Sequence, residues 1–352
     1  MLFRSQNPDL YRPYLGLLLN NLGSLNRDEN RNAEARIDYE EALAIFRALA
    51  VQNPDLYRPD LARTLNNFGN LNRDENRKAE ARKDFEEALA IFRALAVQNP
   101  DLYRPDLART LNHLGNLDRD ENREAEARKD FEEALVIYRA LAVQNPDVYR
   151  PDLARTLNHL GELSADENRN AEARTDDEEA LAIYRALAAQ NPDVYRRTVA
   201  NTLNDLGVLN RNENRKAEAR KDFDEALAIY RALAVRNPDV YRPNIALMLD
   251  NLGALSADED RNAEARKDYE EALVIYRALA VQNPNAYRPD IARTLDNLGL
   301  LNRAENRNAA ARKAYEEALA IYREFAARAP ATYQPSVQEL EQNLRDLGPV
   351  SP

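Results

Sequence analysis

A 46-residue unit recurs along almost the whole chain, and this recurrence constrains the fold more than any other feature. The tag Asn-Pro-Asp-Leu-Tyr-Arg-Pro begins at Asn7, Asn53 and Asn99, recurs with valine for leucine at Asn145, and returns as variants at Asn191, Asn237 and Asn283, with a degenerate copy at Ala329. Between 53–98 and 99–144, 40 of 46 positions are identical. So strict a period, in the size range of two helices with their connections, predicts a solenoid whose units bury their apolar sides against one another.

Each unit reads as two helices. In 79–96, Ala81, Phe85, Ala88, Leu89, Phe92, Leu95 and Ala96 fall on one helical face. Glu80, Arg82, Lys83, Asp84, Glu86, Glu87 and Arg93 take the other, where Arg82/Glu86 and Lys83/Glu87 are spaced for surface ion pairs worth a few tenths of a kcal/mol. The preceding helix is predicted from Pro59 to about Asp74, with Leu61, Leu65, Phe68 and Leu71 as its stripe. Glu75-Asn76-Arg77 forms the turn, asparagine accepting a left-handed backbone at little cost. The second helix stops before Pro100. Asp101 to Arg104 are expected to form a connector whose leucine and tyrosine pack down, the tyrosines serving as core residues. Glycine recurs late in the first helix (Gly23, Gly69, Gly115, Gly161, Gly207, Gly253, Gly299), implying close backbone approach, with Ala81 and Ala88 as expected partners.

Composition excludes several function classes. There is no cysteine, so disulfides, thiol catalysis and cysteine-built zinc sites are absent. A net charge of −11 argues against a general nucleic-acid or anionic-membrane binder. Every apolar run is broken by charge within a few residues, and Met1 to Pro8 is too short and polar for a secretory signal, so the expected location is cytoplasmic. No phosphate-binding loop, nucleophile elbow or zinc-protease motif occurs. Asp118 to Arg123 opens like a calcium loop but lacks the turn glycine and the bidentate glutamate. No cofactor, metal or catalytic residue is expected, and the chain is read as a non-enzyme.

Leu65, Phe68-Gly69, Ala81, Phe85 and Ala88 resemble the tetratricopeptide repeat (TPR). Leu65-Asn66-Asn67-Phe68-Gly69 is similar to kinesin-light-chain-type repeats. The resemblance spans all seven units, from about residue 13 to 328. It departs from the family where Asn72 replaces the usual tyrosine and where the period exceeds the standard 34 residues. It implies an all-α, right-handed TPR-type α-solenoid of seven helix-turn-helix repeats plus a C-terminal capping helix. Residues 1–12 are expected to be a truncated helix end and connector, 13–334 the seven repeats, and 335–352 a capping helix (Val337, Leu340, Leu344 and Leu347 inward) and tail.

The resemblance also implies that the first helices line a concave, peptide-binding face. Its expected residues are Asn20, Asn21, Arg63, Asn66, Asn67, Asn70, Arg109, Asn112, His113, Asn116, Arg155, Asn158, His159, Asn204, Asn251, Arg293 and Asn297. An amide donates and accepts as a peptide bond does, so rows of asparagine can pair with an extended backbone without reading its side chains. Such ladders occur in the kinesin light chain and in O-linked N-acetylglucosamine transferase, which this surface resembles. The arginines would select carboxylates. The chaperone carboxylate-clamp pattern is not met, since Asn66 and His159 stand where basic residues are required. His113 and His159 replace asparagine in the row and need no metal. On this reading Asn67→Ala with Asn112→Ala weakens binding and leaves stability unchanged.

The expected function is therefore a non-catalytic protein- or peptide-binding scaffold, with a protein or peptide as partner and neither nucleic acid nor membrane. Two alternatives stand beside it. One is a self-assembling scaffold, a homo-oligomer through the first repeat, whose opening helix carries Tyr14, Leu15, Leu17, Leu18 and Leu19. The other is a module of a larger signalling protein, suggested by Met1 entering in mid-repeat.

Overall fold

The structure is a computed structural model describing residues 8–348, and among these no strand occurs. The chain forms two compact units, the first ending at Ile183 and the second starting at Tyr184. The first contains α1 (Pro8–Asp28), α2 (Asn32–Gln52), α3 (Pro54–Asp74), α4 (Lys78–Gln98), α5 (Pro100–Asp120), α6 (Glu124–Gln144), α7 (Pro146–Asp166) and the start of α8 (Asn170–Gln190). The second contains the rest of α8, then α9 (Pro192–Asn212), α10 (Lys216–Ala234), α11 (Pro238–Asp258), α12 (Asn262–Gln282), α13 (Pro284–Ala304), α14 (Asn308–Ala326) and α15 (Pro330–Asp346).

From α1 to α7, and again from α9 to α15, each helix packs on the next along the chain. Successive odd-numbered helices also touch: α1 with α3, α3 with α5 and α5 with α7, then α9 with α11 and α11 with α13. This is the all-α solenoid arrangement the repeats predict, with a continuous face of first helices in each unit.

The turns inside the pairs form as expected. Asn76 adopts φ 59°, and Asn30, Asn122, Asn168, Asn214, Asp260 and Asn306 repeat the left-handed conformation. The connections between pairs differ from expectation. Asp101 to Arg104 are helical, and so are Pro8 to Arg12, because each first helix begins at the earlier proline of the tag. Asn53, extended at φ −141°, is the single residue between α2 and α3, and Pro54 starts the helix with its ring-fixed φ. Pro59 then sits inside α3; the carbonyl it cannot bind belongs to Asp55, in the solvated first turn. The leucine does not pack down, for Leu102 is 52 % exposed, while Tyr103 is half-buried. By the same rule α15 starts at Pro330, ahead of the expected 335, with Val337 and Leu340 buried and Leu344 and Leu347 half-buried. Residues 1–7, part of the expected helix end and connector over 1–12, and 349–352 lie outside the described residues.

The glycines also meet a different partner from the one expected. A Cβ on Gly69 would lie 2.6 Å from a ring carbon of Phe85, and one on Gly115 equally close to Phe131. The ring of the second helix therefore packs directly against the glycine of the first, while Ala81 and Ala88 are fully buried beside it. Phe85 joins Leu114 and Leu117 of the next pair in one core cluster, so each ring serves both its own pair and the next junction.

Polar ties close the junctions. Arg82 does more than pair with Glu86 on its own helix: it reaches Asp118 and Glu121 of the next repeat, both at 2.5 Å. Arg128 with Glu167 (2.5 Å) and Arg220 with Glu259 (2.6 Å) repeat the tie. A more exposed row, Arg47–Glu87, Arg93–Glu133 and Arg139–Glu179, runs beside it in the first unit. Exposed pairs of this kind contribute about 0–1 kcal/mol each.

Candidate functional site

In the first unit α1, α3, α5 and α7 present the expected residues at one helical face, but the face divides into two classes. Asn66 and Asn112 are buried. Asn66 donates to the Thr110 hydroxyl at 2.7 Å and Asn112 to Thr156 at 2.8 Å, each across a repeat junction. The hydroxyls pass the chain on to the carbonyls of Asp106 (2.8 Å) and Asp152 (2.9 Å). These two amides hold the solenoid together and are withdrawn from any ligand. That corrects their assignment to the binding face, and with it the expectation that Asn112→Ala leaves stability unchanged.

The other amides remain accessible. Asn21 is exposed, and Asn20, Asn67, Asn70, Asn116, Asn158, Asn204, Asn251 and Asn297 are half-buried. Neighbouring first helices exchange hydrogen bonds through them: Asn67 donates to Asn20 (3.0 Å) and Asn251 to Asn204 (2.9 Å). Asn116 lies 3.3 Å from His159 Nε2.

The arginines of the face are held by aspartates of the chain itself. Arg63 binds Asp106 of the next repeat at 2.8 Å, and Arg109 approaches the same carboxylate at 3.4 Å. Arg155 pairs with Asp152, and Arg293 binds Asp250 (2.6 Å) and Asp290 (3.0 Å). Burial raises the Asp250 carboxyl pKa, against the pull of Arg293. Arg109 and Arg155 each commit one outer nitrogen to an aspartate, yet 53 % and 57 % of their side chains stay exposed.

The histidines are core-facing groups. His113 stacks on Phe85 with 5.4 Å between ring centroids, and His159 on Phe131 at 5.3 Å. Desolvation, with Arg109 and Arg155 nearby, pushes the His113 pKa down to about 3; desolvation and Arg155 push His159 down to about 4. Both rings are neutral at physiological pH. Among the described residues no group of three or more His, Asp or Glu is placed to hold a metal.

Sequence reasoning missed the receiving threonines, although Ala-Arg-Thr-Leu-Asn recurs at 62–66, 108–112 and 154–158. It also missed Asp177, which stands where other units carry Phe85, Phe131 or Phe223 and is 2 % exposed beneath Gly161. Thr-Asp-Asp in place of Lys-Asp-Phe at 175–177 was the available signal.

Family models described as tetratricopeptide repeat match residues 14–94 and 244–324, and a second such model matches 107–146, 153–192 and 199–238. The chain belongs to the tetratricopeptide repeat family. TPR folds generally mediate contacts between proteins and typically act as non-catalytic scaffolds. Among solved structures the chain is similar to BtubC (BKLC) from P. vanneervenii: 24 % identity, 71 % of this chain and 91 % of that one covered, TM-score 0.55. It is similar to the apo form of RapI at 12 % identity, covering 89 % and 99 %, with TM-score 0.60. A Podosopora anserina protein with nearly identical TPR-like repeats is also similar (15 % identity, 62 % and 96 % covered, TM-score 0.45). No curated protein matches the sequence. Among the described residues no helix is long and apolar enough to cross a membrane.

Proposed function

We propose that the TPR chain is a non-catalytic scaffold that holds an extended segment of a partner protein along the face of its first helices. The observation that carries this reading is the recurrence of half-exposed amides on successive first helices, at Asn20 and Asn67 and again at Asn204 and Asn251. Asparagine is a mediocre helix former, so its repetition at solvent-facing helical positions indicates a use outside helix stability. Each amide offers a donor and an acceptor to a backbone. Arg109 and Arg155, whose side chains stay more than half exposed, add contacts to ligand carboxylates.

The test is a random peptide display selected on the wild type and counter-selected on the Asn67→Ala, Asn70→Ala, Asn116→Ala variant. Peptides enriched on the wild type alone, which lose binding when their backbone is N-methylated but tolerate side-chain changes, are expected. Enrichment that survives the triple variant sinks the reading. A second reading, the self-assembling scaffold, is favoured by a separate surface: Tyr14, Leu18 and Leu25 of α1 are exposed by 70 %, 64 % and 51 %.

A further inference from the structure

The outer side of α1 occupies the position that, in every inner repeat of the first unit, is covered by the repeat before it. Leu22 and Leu25 are 40 % and 51 % exposed, whereas their counterparts Leu114, Leu71 and Leu117 are at most 3 % exposed. Two neighbouring positions have changed chemistry. Asp106, which receives the Arg63 guanidinium of the preceding repeat, corresponds to Tyr14; Thr110, which receives the Asn66 amide, corresponds to Leu18. From Tyr14 to Leu25 α1 carries no charged residue.

We propose that this face joins two copies of the chain across a two-fold axis, α1 against α1. The inference rests on the self-assembly reading and is independent of the peptide-binding face. An in-line repeat bearing the usual arginine and asparagine hooks would find tyrosine and leucine where their acceptors should be, leaving both hooks unpaired on burial. The α15 end is equally unsuited, because its exposed Gln338, Glu339, Gln342 and Arg345 would be desolvated against leucine. An uncharged apolar face, by contrast, meets itself without repulsion, and a two-fold contact requires only that one patch be complementary to itself. Large exposed aliphatic and aromatic groups of this kind mark interaction surfaces.

The chain has no cysteine, so Leu18→Cys supplies a single thiol per copy at a position already 64 % exposed. The expected results are a light-scattering mass of twice 40.1 kDa for the wild type and a covalent dimer of Leu18→Cys under mild oxidation. Tyr14→Asp with Leu18→Thr, which restores the inner-repeat residues, is expected to be monomeric, with unchanged helical circular dichroism and unchanged binding of displayed peptides. A wild type that stays monomeric at its highest soluble concentration overturns the proposal. So does a dimer that survives Tyr14→Asp with Leu18→Thr and fails to cross-link through residue 18, since another surface then makes it. If deleting residues 1–7 converts a monomer into a dimer, the chain's own N-terminal segment is the natural occupant and the proposal fails in that form.

Discussion

The Asn66 amide and the Thr110 hydroxyl meet at 2.7 Å in a buried junction between successive repeats, and the same hydroxyl donates to the Asp106 carbonyl. At this junction and at the next, where Asn112 meets Thr156, a side chain of one repeat thus satisfies a polar group of the following one, which fixes register along with apolar packing. Arg63 on Asp106 and Arg82 on Asp118 and Glu121 reinforce the same fixed offset. A solenoid assembled only from leucine against leucine could slide; buried directional bonds penalise every other register, because a slipped pairing strands them unpaired.

Gly115 should not tolerate alanine. Its Cβ would lie 2.6 Å from the Phe131 ring, which is fully buried and cannot retreat. Overpacking of about 1–3 kcal/mol exceeds the gain in helix propensity of about 1 kcal/mol. The denaturation midpoint of Gly115→Ala is expected to fall, and Phe131→Leu in the same chain to recover part of the loss.

Replacing Asp177 with phenylalanine should stabilise the fourth repeat. The position is buried under Gly161, where neighbouring repeats place a ring. Burying a phenylalanine contributes about 1.5–3 kcal/mol. A higher melting temperature for Asp177→Phe is the expected outcome; a lower one would mean that the acid is held by interactions worth more than a packed ring.

The two histidines should make the protein acid-sensitive. Their folded pKa values, about 3 for His113 and about 4 for His159, lie below the ordinary value of 6.5. The unfolded chain therefore binds more protons between these limits, and stability is lost as pH falls through that window. His113→Asn with His159→Asn, the residue of Asn67, should match the wild type near pH 8 and exceed it near pH 5 in urea titrations.

Asp84 acts with the opposite sign. Burial pushes its carboxyl up to about 6, against the hydrogen bond from Asn72. The folded state here holds the extra proton, so the penalty appears as pH rises from about 4 through 6 and stays constant above. Asp84→Asn is expected to gain stability at pH 7 and to lose that advantage at pH 4, by the same titrations.

Periodicity made the helix pairs, the left-handed asparagine turns and the buried stripe of Leu65, Phe85 and Phe92 legible, because each is a local preference written once per repeat. The helix start at Pro54 was not, since two prolines five residues apart both permit an N-terminus. The division of Asn66 from Asn67 was hidden for a geometric reason. Adjacent residues point about 100° apart on a helix, and which of them enters the junction depends on the crossing of neighbouring helices. Thr110 supplies the acceptor, yet a threonine in a helix announces nothing by itself.

The most direct measurement compares equilibrium urea denaturation of two variants, Asn66→Ala with Asn112→Ala, and Asn70→Ala with Asn116→Ala. Each buried amide removed costs one junction hydrogen bond to a threonine hydroxyl, worth about 0.5–1.5 kcal/mol, and leaves a gap in the junction, so the first variant should unfold at lower urea. The second, altering half-exposed amides, should unfold where the wild type does. Equal midpoints for the two variants would contradict the division between amides that bind the repeats together and amides left for a partner.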